Sequence, residues 1–186
     1  MRVISGERKG HKLKAPKGME VRPTEDKIKE SLFNILRPLI EDATVLDLFG
    51  GSGGIGIEFL SRGAKIAYFV DISNESISCI RENLTHTKLI DRSNIINKDA
   101  IRALSYFKDN NLKFDYIYLD PPFKKHDLLI KTLEIISNNK LIFDKGIIII
   151  EHEKEFNLEN EYYNLIRYDY RSYGSKSLSF YTISEV

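Results

Sequence analysis

Val45-Leu46-Asp47-Leu48-Phe49-Gly50-Gly51-Ser52-Gly53-Gly54-Ile55-Gly56 is the stretch whose reading decides the fold. It opens as a continuous apolar run of strand type and passes through clustered glycines. It then takes up helical spacing at Ile57 and Leu60. A strand feeding a glycine-rich turn and a helix start makes a ligand cradle. Glycine lets the backbone approach a ligand and reach positive φ. The helix N-terminus adds unpaired N–H groups and the positive end of its dipole.

Two cofactors compete for this turn. Gly51, Gly53 and Gly56 fit G-x-G-x-x-G, and Asp71 lies 20 residues past Gly51, the spacing of a dinucleotide fingerprint. Asp47, however, sits inside the strand just before the turn. A carboxylate there is awkward for a pyrophosphate and suits a positive ammonium group, such as that of S-adenosylmethionine. A purely structural turn would leave Asp47 and Asp71 as two unexplained acids at strand ends. The turn alone leaves the two cofactors undecided.

Outward from this stretch, strands and helices alternate. Strand Val45–Phe49 leads to helix Gly54–Arg62, closed by Gly63. Strand Ile66–Val70 ends at Asp71, and helix Asn74–Thr87 follows. Strand Asn94–Asn97 ends at Asp99-Ala100, before a helix through Leu104 and Phe107. Strand Phe114–Leu119 ends at Asp120, helix Asp127–Ser137 follows, and strand Gly146–Ile150 ends at Glu151. Tyr163–Tyr170 and Ser177–Ile183 read as a closing antiparallel hairpin around Tyr173-Gly174-Ser175. Such alternation predicts a mostly parallel sheet with helices on both faces and ligands at the carboxyl ends of its strands. Asp47, Asp71, Asp99 and Asp120 all fall at or near that edge.

Upstream, Met1–Ala15 reads as a short hairpin turning at Glu7-Arg8-Lys9-Gly10, and Pro16-Lys17-Gly18 as a turn. Arg22-Pro23-Thr24 leads into a helix with Ile28, Leu32, Ile35 and Leu36 on one face, ended near Arg37 by Pro38. Residues 1–22 carry seven basic residues and two acids, a net +5, while the whole chain of 186 residues is only +1. A basic segment of this kind fits phosphate contact. With 42% hydrophobic and 30% charged residues, the composition is that of a globular protein with a full core. No apolar run is long enough to span a membrane, no secretory signal is expected, and the single Cys79 excludes internal disulfides. The expected compartment is the cytoplasm. His11, His86, His126 and His152 are scattered without ligand spacing, so no metal is expected.

Asp120-Pro121-Pro122-Phe123 decides between the cofactors. Two prolines stiffen the backbone and remove two N–H donors. The Asp carboxylate and a prolyl carbonyl remain as acceptors, with an aromatic ring beside them. That kit suits a planar base with an exocyclic NH₂: the acceptors take its two N–H bonds and Phe123 stacks on the ring. The amine lone pair is then turned towards an electrophile.

Asp47–Gly53, Asp71, Asp99-Ala100 and Asp120–Phe123 resemble the ordered motifs of class I S-adenosylmethionine-dependent N-methyltransferases. More narrowly, the whole chain resembles the RsmD family of 16S rRNA guanine-N2 methyltransferases. The closer match rests on Arg2-Val3-Ile4-Ser5-Gly6, Gly10-His11-Lys12-Leu13, Arg22-Pro23-Thr24 with Asp26, and Ser31-Leu32-Phe33-Asn34. Ser61-Arg62-Gly63-Ala64 and Tyr173-Gly174 also contribute. Gly50 stands where that family usually has Ala, and Asp71 where Glu is commoner.

The resemblance implies a Rossmann-like domain over residues 24–186, with a seven-stranded mostly parallel sheet and a C-terminal antiparallel hairpin. Residues 1–23 would form a basic hairpin extension. It implies that Asp47, Phe49, Gly50, Gly51, Ser52 and Gly53 hold the methionine part of S-adenosylmethionine. Asp71 would bind the ribose, Ile72 flank the adenine, and Asp99 with Ala100 meet the adenine amine. Asp120, Pro121, Pro122 and Phe123 would hold the target guanine (guanine 966 of 16S rRNA by resemblance), while Arg22 and Thr24 close over the cofactor or substrate. Arg8, Lys9, His11 and Lys12 would hold RNA. The implied partner is 16S rRNA within an assembling small subunit, and the expected state is a monomer. An N6-adenine DNA methyltransferase uses the same motifs but normally needs an inserted recognition segment, for which this chain has no room beyond residues 1–30. A nicotinamide-dependent oxidoreductase is the remaining rival.

Overall fold

Strand β1 (Thr44–Asp47) lies at the middle of one eight-stranded sheet, between β2 (Ile66–Asp71) and β4 (Phe114–Leu119), and is parallel to both. The remaining elements are α1 (Pro23–Ile35), α2 (Gly54–Ser61), α3 (Asn74–His86), β3 (Ser93–Asn97), α4 (Ala100–Asp109), α5 (His126–Asn138), β5 (Ile142–Glu153), β6 (Glu161–Tyr162), β7 (Leu165–Tyr173) and β8 (Lys176–Ile183). A 3₁₀ turn at Ile90–Arg92 precedes β3. The computed structural model describes residues 1–18 and 23–184, and only the backbone of residues 23–25. The strand order is β3-β2-β1-β4-β5-β8-β7-β6, parallel through β5 and antiparallel beyond it.

The pleat divides each parallel strand between two helical layers. Val45, Phe69, Tyr118 and Ile149 pack with Leu32 and Phe33 of α1, Phe59 of α2 and Ile80 of α3. Leu46, Val70, Ile117, Ile148 and Ile150 pack with Leu104 and Phe107 of α4 and Leu133 and Ile136 of α5. Burial on both faces is what the unbroken apolar runs require. The same parity brings Asp47 and Glu151 out on the α1–α2 face, two residues beyond Val45 and Ile149.

Several boundaries differ from the sequence reading. The sheet has eight strands rather than seven, because Glu161–Tyr162 pairs with Leu165–Ile166 at the edge. Strand β5 begins at Ile142, four residues early: its exposed Phe143-Asp144-Lys145 breaks the apolar run and looks like a loop. Helix α1 stops at Ile35, before Arg37, since proline disfavours helical backbone in the residue before it.

The expected N-terminal hairpin is reduced to a single antiparallel bridge, Arg2 with Lys12. Its backbone is still doubled back: Val3 N–H donates to His11 O and Gly10 N–H to Val3 O, both at 2.9 Å. It does not widen into a ladder because the Ile4 and Ser5 N–H groups go to the Glu58 carboxylate, at 2.8 and 3.0 Å. Gly6, at φ +84°, lies so close to Ser61 O that a Cβ would fall 1.9 Å from it. Val3 and Leu13 are buried in the same core as α1 and α2. The segment is thereby fastened to the main body by a buried acid and two apolar side chains.

Candidate active site

Five neighbouring strands, in the order β3-β2-β1-β4-β5, carry acids at or near their carboxyl ends: Asp99, Asp71, Asp47, Asp120 and, two residues before β5 ends, Glu151. A crevice of about 160 Å³ opens at this edge. Asp47, Phe49, Gly50, Gly51 and Ser52 line one side, and Tyr118, Asp120, Glu151 and Lys176 the other. Met1, Pro16, Ile28 and Lys29 close it from the N-terminal segment and α1.

Asp47 is 2% exposed. Burial pushes its carboxyl up to about 7; the Gly56 N–H, which donates to Oδ2 at 3.1 Å, opposes this, and the nearby Asp71 charge adds to it. A desolvated acid at the mouth of a crevice is a site for a cation, whose charge compensates the ionised form. The turn beside it is built for close approach. Gly51 and Gly53 have φ of +53° and +76°, and no atom lies within 4 Å of where a Gly51 Cβ would stand. Gly53 caps α2. Gly50 is tight instead: a Cβ there would meet Ile80 Cδ1 at 2.9 Å, so the alanine usual in the resembling family requires Ile80 to shift.

Asp71 acts first on the turn itself. Its Oδ2 accepts from Gly51 N–H at 2.9 Å and its Oδ1 from Ser73 N–H at 2.8 Å. Asp99 caps α4, accepting from Arg102 N–H at 3.0 Å, with the Arg102 guanidinium beside it at 3.3 Å. Ala100 opens that helix. Ile72 is 72% exposed at the same edge, although neither it nor the Asp99-Ala100 pair lines the crevice. Arg22 and the Thr24 side chain lie outside the described residues.

The Asp120–Phe123 loop leaves β4 next to the β1 turn. Pro122 O accepts from Lys125 N–H at 3.0 Å, which closes the loop, and Phe123 stands 72% exposed with the Lys124 ammonium 5.2 Å from its ring centre. The far side is tied down by Glu153, which accepts from Lys124 N–H at 3.0 Å and faces His126 at 3.3 Å.

Four crevice groups lie outside the sequence motifs: Glu151, Lys176, Tyr118 and Lys29. Glu151 is 8% exposed, accepts from the Tyr118 hydroxyl at 2.5 Å and pairs with the Lys176 ammonium. Burial, then the Glu151 and Asp120 charges, pushes the Tyr118 hydroxyl well above its ordinary range. Lys29, 2% exposed, donates to Arg2 O at 2.5 Å and faces Glu58 at 3.6 Å; burial pulls its ammonium down. Glu151 could have been found as the fifth acid near a strand end. Lys29 had no signal, since a lysine on a charged helix reads as solvent-facing.

On the basic arm, Lys9 and Lys12 are exposed. His11 is half-buried, its Nδ1 2.9 Å from Arg8 O. Arg8 corrects the expectation of an open turn: it is half-buried, paired with Glu7 at 3.6 Å, and its N–H donates to Ser61 Oγ at 3.0 Å. Ser61 on α2 draws this part of the turn inward.

A glycine turn after the central strand, an acid after the next, and Asp-Pro-Pro-Phe after the strand on the other side define a class I methyltransferase fold. A solved Escherichia coli protein, yhhF, described as a candidate methyltransferase, superposes with a TM-score of 0.86 at 28% identity, covering 99% of this chain and 98% of that one. The chain is 39% identical over 181 residues to YlbH of Bacillus subtilis, named as a candidate rRNA methyltransferase, covering 97% of this chain and 98% of YlbH. It is 34% identical over 155 residues to ribosomal RNA small subunit methyltransferase D of Escherichia coli, covering 83% and 76%. The model of the family described as "Conserved hypothetical protein 95" matches residues 1–182. The chain belongs to that family, the RsmD family.

Proposed function

We propose that this protein transfers a methyl group from S-adenosylmethionine to the exocyclic N2 of a guanine in small-subunit rRNA. One observation carries the reading: the buried, cation-seeking Asp47 and Asp120, the first residue of the Asp120-Pro121-Pro122-Phe123 loop, line one crevice from adjacent parallel strands. The relatives named as rRNA methyltransferases support RNA as the substrate.

The residues present fit the cofactor. Asp47 accepts the ammonium, and the Gly51–Gly53 backbone passes beside the methionine chain. Asp71 keeps acceptor capacity beyond its two backbone bonds, because a carboxylate offers about four lone-pair sites. It meets the ribose hydroxyls, while Ile72 covers the adenine face and Asp99 with Ala100 meets its amine. S-adenosylmethionine, when bound, supplies an electrophilic methyl on a positively charged sulfur.

The protein supplies position and acceptors. Asp120 and the Pro121 carbonyl accept the two N–H bonds of the guanine amine, and Phe123 stacks on the base. Pro122 O is already engaged by Lys125 N–H, so the prolyl acceptor is that of Pro121. Holding the amine in line with the methyl is the main catalytic contribution, and placed acceptors at the developing charge add to it. Arg22 and Thr24 close over the cofactor, and Lys9, Lys12, His11 and Arg8 hold RNA phosphates.

Binding and transfer test this together. S-adenosylhomocysteine should bind, NAD should not, and methyl should pass to small-subunit rRNA. Tight NAD binding without S-adenosylhomocysteine binding would instead make the protein an oxidoreductase.

A further inference from the structure

The mechanism above uses Asp120 but leaves Glu151 and Lys176 without a role. Only the acid of the pair is buried, and the Lys176 side chain is 39% exposed. Glu151 is 8% exposed and lines the crevice beside Asp120, and its partner Lys176 lines it too. Burying the Glu151 carboxylate costs desolvation that a half-exposed lysine offsets only in part, so the pair is weak evidence of a stabilising role.

The fold places the two with care. Leu119 and Ile150 are paired neighbours on β4 and β5, so the next residues, Asp120 just past β4 and Glu151 still within β5, stand side by side. Glu151 is fixed from below by the Tyr118 hydroxyl, which donates to Oε2. From the side, Lys176 engages Oε1. Lys176 reaches this point because β8 runs antiparallel to β5, pairing Glu151 with Leu178 and Glu153 with Lys176. The crevice wall therefore presents, from β4 across to β8, a carboxylate, a second carboxylate and an ammonium.

That order matches one nucleobase edge. The Watson–Crick edge of guanine presents an N2 amine and N1–H, both donors, and then O6, an acceptor. Adenine presents an amine donor and an N1 acceptor, the wrong complement for a second carboxylate. We propose that Glu151 and Lys176 read the target base as guanine, Glu151 accepting from N1–H and Lys176 donating to O6, while Asp120 holds the N2 amine. This rests on the guanine-N2 reading and adds to it the residues that exclude other bases. Glu151 and Lys176 are specificity residues; the methyl acceptor remains the amine at Asp120.

The test replaces the target guanosine in an RNA substrate with 2-aminopurine riboside. This base keeps the amine on C2, but its N1 is a bare acceptor and C6 carries hydrogen instead of oxygen. The wild-type protein should favour guanine by about 10²-fold or more in kcat/KM, since a buried polar site rejects an analogue that leaves its groups unpaired. Glu151→Gln can turn its amide N–H towards a bare N1, so its preference should fall at least about tenfold. The difference in amine reactivity between the two bases is common to both proteins and cancels.

Lys176→Met should lower kcat/KM for guanine RNA about tenfold and leave 2-aminopurine RNA unchanged. It also decides the question should Glu151→Gln fail to bind S-adenosylhomocysteine and so prove misfolded. A Lys176→Met loss equal for both RNAs, accompanied by weaker S-adenosylhomocysteine binding, would make Lys176 a cofactor ligand and overturn its role here. Wild-type-like preference in both variants, with N2-methylguanosine still formed, would overturn this inference and leave the proposed function standing. Absence of N2-methylguanosine with the wild-type protein would overturn both.

Discussion

Gly51 donates its backbone N–H to Asp71 Oδ2 at 2.9 Å, across 20 residues of chain. The acid at the end of β2 thus holds the glycine turn after β1 in its open, positive-φ form. Its second oxygen, on Ser73 N–H, fixes the start of the turn into α3. Asp71 is the clamp that shapes the cradle, and under the proposed function it is a cofactor ligand as well. Asp71→Ala should therefore weaken S-adenosylhomocysteine binding by more than a single hydrogen bond is worth, about 10–100-fold. Titration calorimetry measures it. Unchanged affinity would remove Asp71 from the cofactor site.

If Asp47 holds the cofactor as proposed, binding should depend on pH. Its folded carboxyl titrates at about 7 against an ordinary 3.8, so between these values the folded state holds a proton that the unfolded state has lost. The apo protein should accordingly lose stability as pH rises through that window. A ligand that sets its ammonium group against Asp47 favours the ionised acid, so affinity for S-adenosylhomocysteine should climb towards pH 7, by up to about tenfold per pH unit below it. Asp47→Asn should flatten that dependence. An equally steep profile in the variant would assign the titration to another group.

Under the proposed function Asp120 acts on the target base more than on the cofactor. Asp120→Ala should lower turnover by roughly 10²–10³ while S-adenosylhomocysteine affinity stays within about tenfold. Near-normal single-turnover rates would exclude it from the mechanism.

Much of this site was legible in the sequence because it is local. The β1 strand and its glycine turn are contiguous, and Asp120–Phe123 is four residues in a row. The alternation of apolar runs gave the parallel order and hence the edge where ligands gather. What could not be read depends on non-local pairing. Lys176 meets Glu151 only because β8 folds back against β5. Lys29 looks solvated until Arg2 O and Glu58 are seen around it. The N-terminal ladder was over-read because the sequence does not show that Glu58, on α2, claims the Ile4 and Ser5 N–H groups.

Glu58 is fully buried and meets Ile4 and Ser5 N–H, the Arg62 guanidinium at 2.7 Å and the Lys29 ammonium. Removing the acid strands two nearly buried cations and two backbone donors. Glu58→Ala should cost about 3–5 kcal/mol, read from the urea midpoint, and should release the N-terminal segment to proteolysis. A loss under about 1 kcal/mol would show that the network is not what fastens the arm.

RNA binding should rest on Lys9 and Lys12 more than on Arg8, whose side chain is half-buried and paired. Lys9→Ala with Lys12→Ala should weaken RNA binding and flatten the slope of log K against log salt, by about 0.7 for each single-strand phosphate that is no longer neutralised. S-adenosylhomocysteine affinity should hold. Two lines of equal slope across a salt series would show that these side chains touch no phosphate.

The central claim is the identity of the methylated atom. Small-subunit rRNA from cells lacking the gene, incubated with the purified protein and S-adenosylmethionine and then digested to nucleosides, should yield N2-methylguanosine by mass spectrometry, and Asp120→Ala should abolish it. Methyl recovered on adenine N6, or on a guanine atom other than N2, would contradict the account.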